Sequence, residues 1–144
     1  MKKSIFLFLL AMLTPAIANA QLSHVSYVNP MIGTEGMGHT FPGACAPFGI
    51  VQLSPETDTI PHNVDGRYQE QVYEYCAGYQ HSDHTIVGFS HTHLSGTGHS
   101  DLGDIMLMPQ TGALRLNPGT KEHPEGGYRQ RFSHETERAE AGYY

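Results

Sequence analysis

Short apolar and β-branched runs alternate along the chain with clusters of Gly, Pro, Asn, Asp and Ser. Residues 85–89 and 104–108 each have the length and residue types of a strand, and the Gly/Ser/Thr-rich segment 95–103 lies between them. Residues 50–53 predict a further strand in the core. Beyond the first twenty residues no apolar stripe of helical period is present. The pattern therefore predicts an all-β fold, an antiparallel β-sandwich.

The remaining segments fit the same architecture. Strand-like runs with a turn signal beside them also occur at 25–28, 113–116 and 128–133, and the last three residues, 142–144, resemble the opening of another strand. The Pro/Asp/Asn-rich segment 54–66 predicts a long loop. Residues 133–141 contain some helix-forming residues but no apolar stripe, so we expect a loop there as well.

The first twenty residues have the organisation of a secretory signal peptide. Lys2 and Lys3 precede the apolar run 5–13, and small residues lead up to Ala20. We expect cleavage after Ala20 and export to the periplasm or the medium, leaving 21–144 as part of one domain. A membrane anchor is the alternative, but the run is too short to span a bilayer.

The charge of the exported chain argues against polyanionic partners. Loss of Lys2 and Lys3 with the leader leaves six basic residues against 14 acidic ones, a formal charge of −8. There is no Lys/Arg cluster that could follow a phosphate backbone, which excludes nucleic acid as an expected partner.

Candidate chemistry concentrates in residues 76–108, which hold five of the ten histidines and three aspartates. If residues 90–94 continue the strand at 85–89, the period of two places His91 and His93 on one face. Three interpretations are open: a zinc site, a polar carbohydrate cleft, and histidines with structural roles. The carbohydrate cleft is favoured. The zinc site would draw on nearby side chains, namely His81, His84, His99, Asp83, Asp101 and Asp104.

Two other features bear on function. Asp101 and Asp104 could form a glycosidase acid/base pair, but aspartates that fix a turn are the favoured interpretation. The glycine-rich loop Gly36 to His39 lacks the Lys of a phosphate loop, and its backbone amides could approach a ligand closely because Gly has no side chain.

Several motifs together identify a family. They are Gly38-His39-Thr40-Phe41-Pro42-Gly43-Ala44, Pro47-Phe48-Gly49-Ile50-Val51-Gln52-Leu53-Ser54-Pro55, Gly88-Phe89-Ser90-His91-Thr92-His93-Leu94-Ser95-Gly96-Thr97-Gly98 and Asp101-Leu102-Gly103-Asp104-Ile105. In this order they closely resemble the start of the glycoside hydrolase family 92 α-mannosidases, from about Tyr27 to the last residue.

The resemblance implies a fold and an activity. The family is known for calcium-dependent, inverting removal of terminal α-linked mannose by an N-terminal β-sandwich packed on a helical (α/α)6 barrel. It implies that the catalytic acid and base and most calcium ligands belong to the barrel, so no catalytic or metal-binding residue is assigned here. The expected partners are mannose-containing glycans and that barrel. The alternatives are a stand-alone carbohydrate-binding sandwich and a secreted metal-binding β-domain.

Six residues are implied as substrate contacts. They are Gly36, His39, Tyr73, Tyr75, His91 and His93. Tyr73 and Tyr75 stand where the family motif is rich in tryptophan, and both would face one side of an extended segment. Cys76 matches a family cysteine whereas Cys45 does not, so two buried thiols are favoured over the disulfide that export would permit.

Overall fold

The chain is all-β in a computed structural model that describes residues 24–96 and 103–144. Its regular elements are short and are joined by shaped loops. In chain order they are β1 (Ser54–Glu56), β2 (Asn63–Val64), β3 (Arg67–Tyr68), α1 (Gln71–Glu74), β4 (Thr85–Ile86), β5 (Gly88–Ser90), a 3-10 turn (Pro124–Gly126) and β6 (Gln130–Arg131).

All strand pairing among these elements is antiparallel. β1 pairs with β5, β2 with β3 in a local hairpin, and β4 with β6. In the first pair Pro55 lies opposite Phe89, and Phe89 also forms a bridge with Leu107 on its other side. β5 therefore lies between two neighbouring segments, as an inner strand of a sheet does.

The apolar core of the described residues is small. Its buried hydrophobic side chains are Val72, Ala77, Tyr79, Ile86 and Val87. Buried polar residues are more numerous in this part of the chain, and Ser54 and Ser90 are fully buried where β1 meets β5. Because buried polar groups are stable only when they are hydrogen-bonded, the fold must supply partners for most of them.

Arg129 supplies several of these partners at once. Its guanidinium, almost fully buried, donates to the Thr57 carbonyl at 2.9 Å, to Thr85 Oγ1 at 3.1 Å and to Asp58 Oδ1 at 2.6 Å. These groups follow β1 and begin β4, whereas Arg129 precedes β6. One side chain thus joins three segments that are far apart in the sequence.

The fold class predicted from the sequence is confirmed, in keeping with an antiparallel β-sandwich. The strand predicted at 85–89 forms as β4 and β5, with a break at Val87, whose amide donates to the Glu56 carbonyl at 2.8 Å. The strand at 128–133 forms as β6, and 133–141 is a loop.

Several predicted strands are wrong. Residues 25–28 form no strand, and Tyr27 is 83% exposed. Residues 50–53 were expected in the core, yet Ile50 is 83% exposed and the buried strand begins only at Ser54. Residues 113–116 form no strand. Each run has strand-forming residues, but none finds a ladder partner among the described residues beyond one bridge between Leu53 and Ala44.

Other boundaries shift. Segment 54–66, predicted as a loop, contains β1 and β2. The strand predicted at 104–108 does not form and leaves a single bridge, at Leu107, and the strand opening predicted at 142–144 leaves one bridge between Tyr143 and Glu140. The predicted leader, residues 1–20, lies outside the described residues. In the part of the chain that the structure describes, no helix has the length and apolar character needed to cross a membrane.

Candidate functional site

A polar cavity of about 230 Å³ lies where β1, α1 and the start of the 92–103 segment meet. Tyr75 and His93, two of the predicted site residues, both line it. The other polar and ionisable side chains in its wall are Glu56, Asp58, Thr59, His62, Cys76 and Thr92. Convergent polar groups in a concave site are typical of ligand-binding pockets.

Two residues of the cavity wall, Asp58 and Tyr75, belong to an ion-pair network. Lys121 Nζ lies 2.7 Å from Asp83 Oδ1 and 3.2 Å from Asp58 Oδ2, and 4.6 Å from the centre of the Tyr75 ring. The Tyr75 hydroxyl donates to Asp83 Oδ2 at 2.9 Å. Arg129 binds the second oxygen of Asp58. Both aspartates are therefore held by cations, and Tyr75 is held between Asp83 and Lys121.

The pKa values of the network follow from these contacts. Burial raises the pKa of Tyr75 to about 12, with a further contribution from the negative charge of Asp83, although the hydrogen bond from Lys121 acts in the opposite direction. Burial alone would lower the pKa of Lys121, but its bonds to Asp83 and Tyr75 outweigh burial and raise it. Tyr75 is thus neutral and Lys121 charged throughout the physiological range.

A second part of the cavity wall is built on His93. Its Nδ1 lies 2.7 Å from the Gln52 carbonyl, and its Nε2 lies 2.9 Å from both Glu56 Oε1 and Ser90 Oγ. The Ser90 hydroxyl also donates to Glu56. Gly78 makes room for the carboxylate, since a β-carbon there would lie 2.2 Å from Glu56 Oε2.

This serine, histidine and glutamate do not form a nucleophilic triad. In a triad the histidine uses one ring nitrogen for the serine and the other for the acid. Here Ser90 and Glu56 share Nε2, and the carbonyl of Gln52 occupies Nδ1. Ser90 is also fully buried. The cluster positions the imidazole and closes the base of the site.

The loop around Gly36 is fastened by one amide side chain. The Gly36 amide donates to Gln80 Oε1 at 2.7 Å, and Gln80 Nε2 donates back to the Gly36 carbonyl at 3.0 Å. Gln80 Nε2 also reaches the Glu74 carbonyl at the end of α1. The backbone amide predicted to face a ligand is thus bonded to Gln80, which fixes the loop against α1.

His39 and Tyr73 form a second group beside that loop. His39 is 7% exposed, has a left-handed backbone with φ of 52°, and meets the Tyr73 ring edge-on at 4.7 Å. Its Nε2 is buried without a hydrogen-bond partner among the described residues. Tyr73 is 42% exposed. The expectation that Tyr73 and Tyr75 share an extended segment is wrong, because α1 includes Tyr73 and ends before Tyr75.

His91 lies apart from His93. β5 ends at Ser90, so the alternation expected over 90–94 does not continue, and His91 Nδ1 lies 2.6 Å from the Ile105 carbonyl. The two imidazoles therefore have different partners, and His91 is not in the cavity wall. His99 and Asp101 lie outside the described residues. The substrate-binding roles of the six residues stay predictions.

The cysteines are not joined in a disulfide. Cys45 is exposed, so the prediction of two buried thiols is wrong. Cys76 is partly buried in the cavity wall, and burial raises the pKa of its thiol. A raised pKa keeps the thiol protonated and poorly nucleophilic at neutral pH.

Several important residues were missed from the sequence. Glu56 and Asp58 fall in the segment predicted as a plain loop, and Gln80 had no motif. Lys121 and Arg129 act on partners more than 35 residues earlier in the chain. A buried strand Ser54–Glu56 paired to the histidine-bearing segment would have indicated Glu56, but no local signal indicates Lys121.

A larger cleft of about 810 Å³ lies between residues 109–115 and the β6 segment, and it includes none of the six predicted residues. Arg115 and Arg131 in its wall donate to backbone carbonyls of Glu125, Gly127 and Glu122. The smaller cavity is the better candidate, because its charged groups converge.

Titration of Tyr75 tests the ion-pair network. The tyrosine signal that is lost in Tyr75→Phe should titrate near pH 12 in ¹³C-tyrosine NMR, not near 10. Because the folded pKa exceeds the unfolded value, Tyr75 contributes stability that is complete below pH 10 and is lost as pH rises from 10 to 12. Urea unfolding should therefore show a steeper loss from pH 10 to 11 in the unmodified chain than in Tyr75→Phe. Equal slopes, with a midpoint near 10, would contradict the burial of this phenol.

Comparison with known proteins identifies the family of this chain. The family model for the glycosyl hydrolase family 92 N-terminal domain matches residues 27–144. Among solved structures, the family GH92 α-mannosidase BT3965 from Bacteroides thetaiotaomicron, described alone and in complex with mannoimidazole, is 46% identical with a TM-score of 0.69, over 81% of this chain and 14% of that one. The GH92 family glycosyl hydrolase ccman5 is 28% identical with a TM-score of 0.55, over 81% of this chain and 13% of that one.

A curated relative is also described as a glycosidase. An uncharacterized secreted glycosidase from Arthroderma benhamiae is 35% identical over 85 residues, which is 58% of this chain and 9% of that protein. The chain thus spans only a small part of the relatives that it matches. Since the family model covers the chain from Tyr27 to its last residue, the chain belongs to glycosyl hydrolase family 92 and represents that family's N-terminal domain.

Proposed function

We propose that this chain forms the substrate-cleft domain of an exported α-mannosidase that removes terminal α-linked mannose from glycans with inversion. The observation that carries the proposal is the 46% identity, over most of the chain, to an α-mannosidase whose structure has been determined with mannoimidazole bound. Export is supported by the secreted relative and by the signal-peptide pattern of residues 1–20.

The contacts of three carboxylates, Glu56 and Asp58 in the cavity wall and Asp83 beside them, support the proposal that the catalytic groups lie outside this chain. An inverting glycosidase needs one protonated carboxyl and one free carboxylate on opposite sides of the sugar. Glu56 is bonded to His93 and Ser90, whereas Asp58 and Asp83 are paired with Lys121. These contacts give the three groups a structural role. The acid and base would come from the remainder of the full-length protein, the helical barrel implied by the family.

Calcium belongs to the proposal in the same way. Calcium prefers six to eight oxygen ligands, chiefly carboxylates and carbonyls. Among the described residues the only candidate metal cluster contains two histidines and one glutamate, a donor set that does not suit calcium. In this proposal the calcium implied by the family resemblance is bound mainly outside this segment, and no step of the reaction is assigned to it here.

The two tyrosines have different parts in the proposed cleft. Tyr75 is fixed by Asp83 and Lys121 and shapes the wall. Tyr73 is the one with exposed ring surface, and His39 supports its edge. Aromatic rings present a flat apolar face that suits the C–H face of a sugar. Tyr73 is therefore the residue proposed to lie against a sugar ring, next to the loop at Gly36.

A chimera tests whether the catalytic groups lie outside this chain. Residues 27–144 would replace the matching segment of the BT3965 α-mannosidase, and mannose release from an α-mannoside would be followed by ¹H NMR. We expect the chimera to release mannose first as the β-anomer, as inversion requires, and the chain alone to release none. Mannose release by the chain alone, or a folded but inactive chimera, would contradict the proposal.

The role of Tyr73 is testable in the same chimera. Tyr73→Ala should raise KM for a dimannoside at least several-fold, because loss of one stacking aromatic group costs about 1 kcal/mol or more, while Tyr73→Phe should leave KM nearly unchanged. Tyr68→Ala is a matched control, since Tyr68 is also exposed but lies on the β2–β3 hairpin. An equal effect of Tyr73→Ala and Tyr68→Ala on KM would remove Tyr73 from the site.

A further inference from the structure

A second cluster of ligand-type side chains lies outside the cavity. His81, from the histidine-rich segment, approaches His134 and Glu137 from the loop after β6, and each offers a ligand atom within 4.8 Å of the others. The ring centres of His81 and His134 are 4.3 Å apart, and His134 Nδ1 lies 2.5 Å from Glu137 Oε2. His81 is exposed, so the cluster is accessible to solvent.

The hydrogen bonds around His134 select its tautomer. Its Nε2 lies 2.9 Å from the Asp83 carbonyl, which can only accept, so Nε2 carries the hydrogen. Nδ1 is then left with its lone pair towards the Glu137 carboxylate. Two acceptors at 2.5 Å require a proton between them, and a divalent ion that displaced this proton would bind the same two lone pairs at a slightly larger separation.

The surrounding tyrosines orient the other two groups. The hydroxyls of Tyr79 and Tyr144 each donate to Glu137 Oε1 at 2.7 Å, which leaves Oε2 for the cluster. With its hydrogen committed to Glu137, the Tyr79 oxygen can accept from His81 Nδ1, 3.4 Å away. That tautomer leaves the Nε2 of His81 free to coordinate. Outer groups that orient ligands in this manner are typical of zinc sites.

We propose that His81, His134 and Glu137 form a binding site for a divalent transition metal, with Zn²⁺ as the best match to two imidazoles and one carboxylate. Bonds of about 2.0–2.1 Å at a tetrahedral ion separate its ligand atoms by about 3.3 Å. All three ligand atoms lie within 4.8 Å of one another, and the pair at 2.5 Å would separate by less than 1 Å to reach that value. Water would occupy the fourth position. The bound ion would fasten the 133–144 segment to the segment that follows Tyr79.

This site differs from the zinc site considered from the sequence. Only His81 is common to both, because His91 and His93 bind separate partners and do not converge on it. The site goes beyond the proposed mannosidase role, since none of its three ligand residues lines the polar cavity, although His134 contacts the backbone of Asp83.

Zinc retention tests the proposal. The chain, purified without a histidine tag, would be incubated with Zn²⁺, desalted and subjected to elemental analysis, with affinity measured by calorimetry and Ca²⁺ used in a parallel arm. We expect about one Zn²⁺ per chain, no comparable binding of Ca²⁺, and a higher unfolding midpoint with Zn²⁺ than without it.

Variants identify the ligands. His81→Gln and Glu137→Gln should each weaken zinc binding by more than tenfold, and Tyr144→Phe by about tenfold, as for loss of an orienting outer group. His123→Gln is the matched control, because His123 lies beside Glu125 in an exposed pair and should retain full affinity. His81 is exposed, so His81→Gln remains decisive if Glu137→Gln fails to fold. No zinc retained by the unmodified chain, or equal retention in His81→Gln and His123→Gln, would overturn the proposal.

Discussion

The pairing of Asp58 with Arg129 is the contact on which most of this structure depends. Five hydrophobic side chains form the buried apolar core of the described residues, and the chain compensates with charged groups that join distant segments. Asp58 follows β1, and Arg129 directly precedes β6. A buried ion pair adds little net stability when both partners are present, but loss of one partner leaves an uncompensated charge and costs about 3–5 kcal/mol. The pair therefore specifies which segments meet.

Asp58 also connects this pairing to the polar cavity, because its side chain lies in the cavity wall. Lys121 forms an ion pair with the other carboxylate oxygen of Asp58, and it also contacts Asp83 and Tyr75. In the second part of the wall His93 and Ser90 hold Glu56. Carboxylates that are held by several hydrogen bonds and ion pairs have fixed positions. These contacts agree with the proposal that this domain supplies a polar wall of the cleft and that the catalytic groups lie elsewhere in the full-length protein.

The sequence predicts well the elements that lie within or next to the family motifs. Residues 85–89 are β-branched and aromatic, and they form β4 and β5. The motif predicts His93 as a site residue, and His93 lines the cavity. Residues 50–53 have equal strand character, yet Ile50 is exposed. A four-residue apolar run shows that its residues favour an extended backbone, but it does not show whether another segment of the chain packs against them.

The remainder of the site depends on contacts between residues far apart in the sequence. Lys121 is 38 residues from Asp83, and Glu137 is 58 residues from Tyr79. Neither has a motif of its own, and both sit in loops where a charged residue usually faces water. The end of β5 at Ser90 is equally invisible, because His91 leaves the strand to bond with Ile105. Only the tertiary structure distinguishes these residues from ordinary surface positions.

A double-mutant cycle on Asp58 and Arg129 tests most directly whether their pairing holds the domain together. The free energy of urea unfolding would be measured for Asp58→Asn, Arg129→Met and the double variant, with Arg138→Met as an exposed ion-pair control. Each single change should cost about 3 kcal/mol, and the coupling energy should be about 2 kcal/mol, whereas the control should change stability by less than about 0.5 kcal/mol. Additive effects of the two single changes would show that the segments are held together by other contacts.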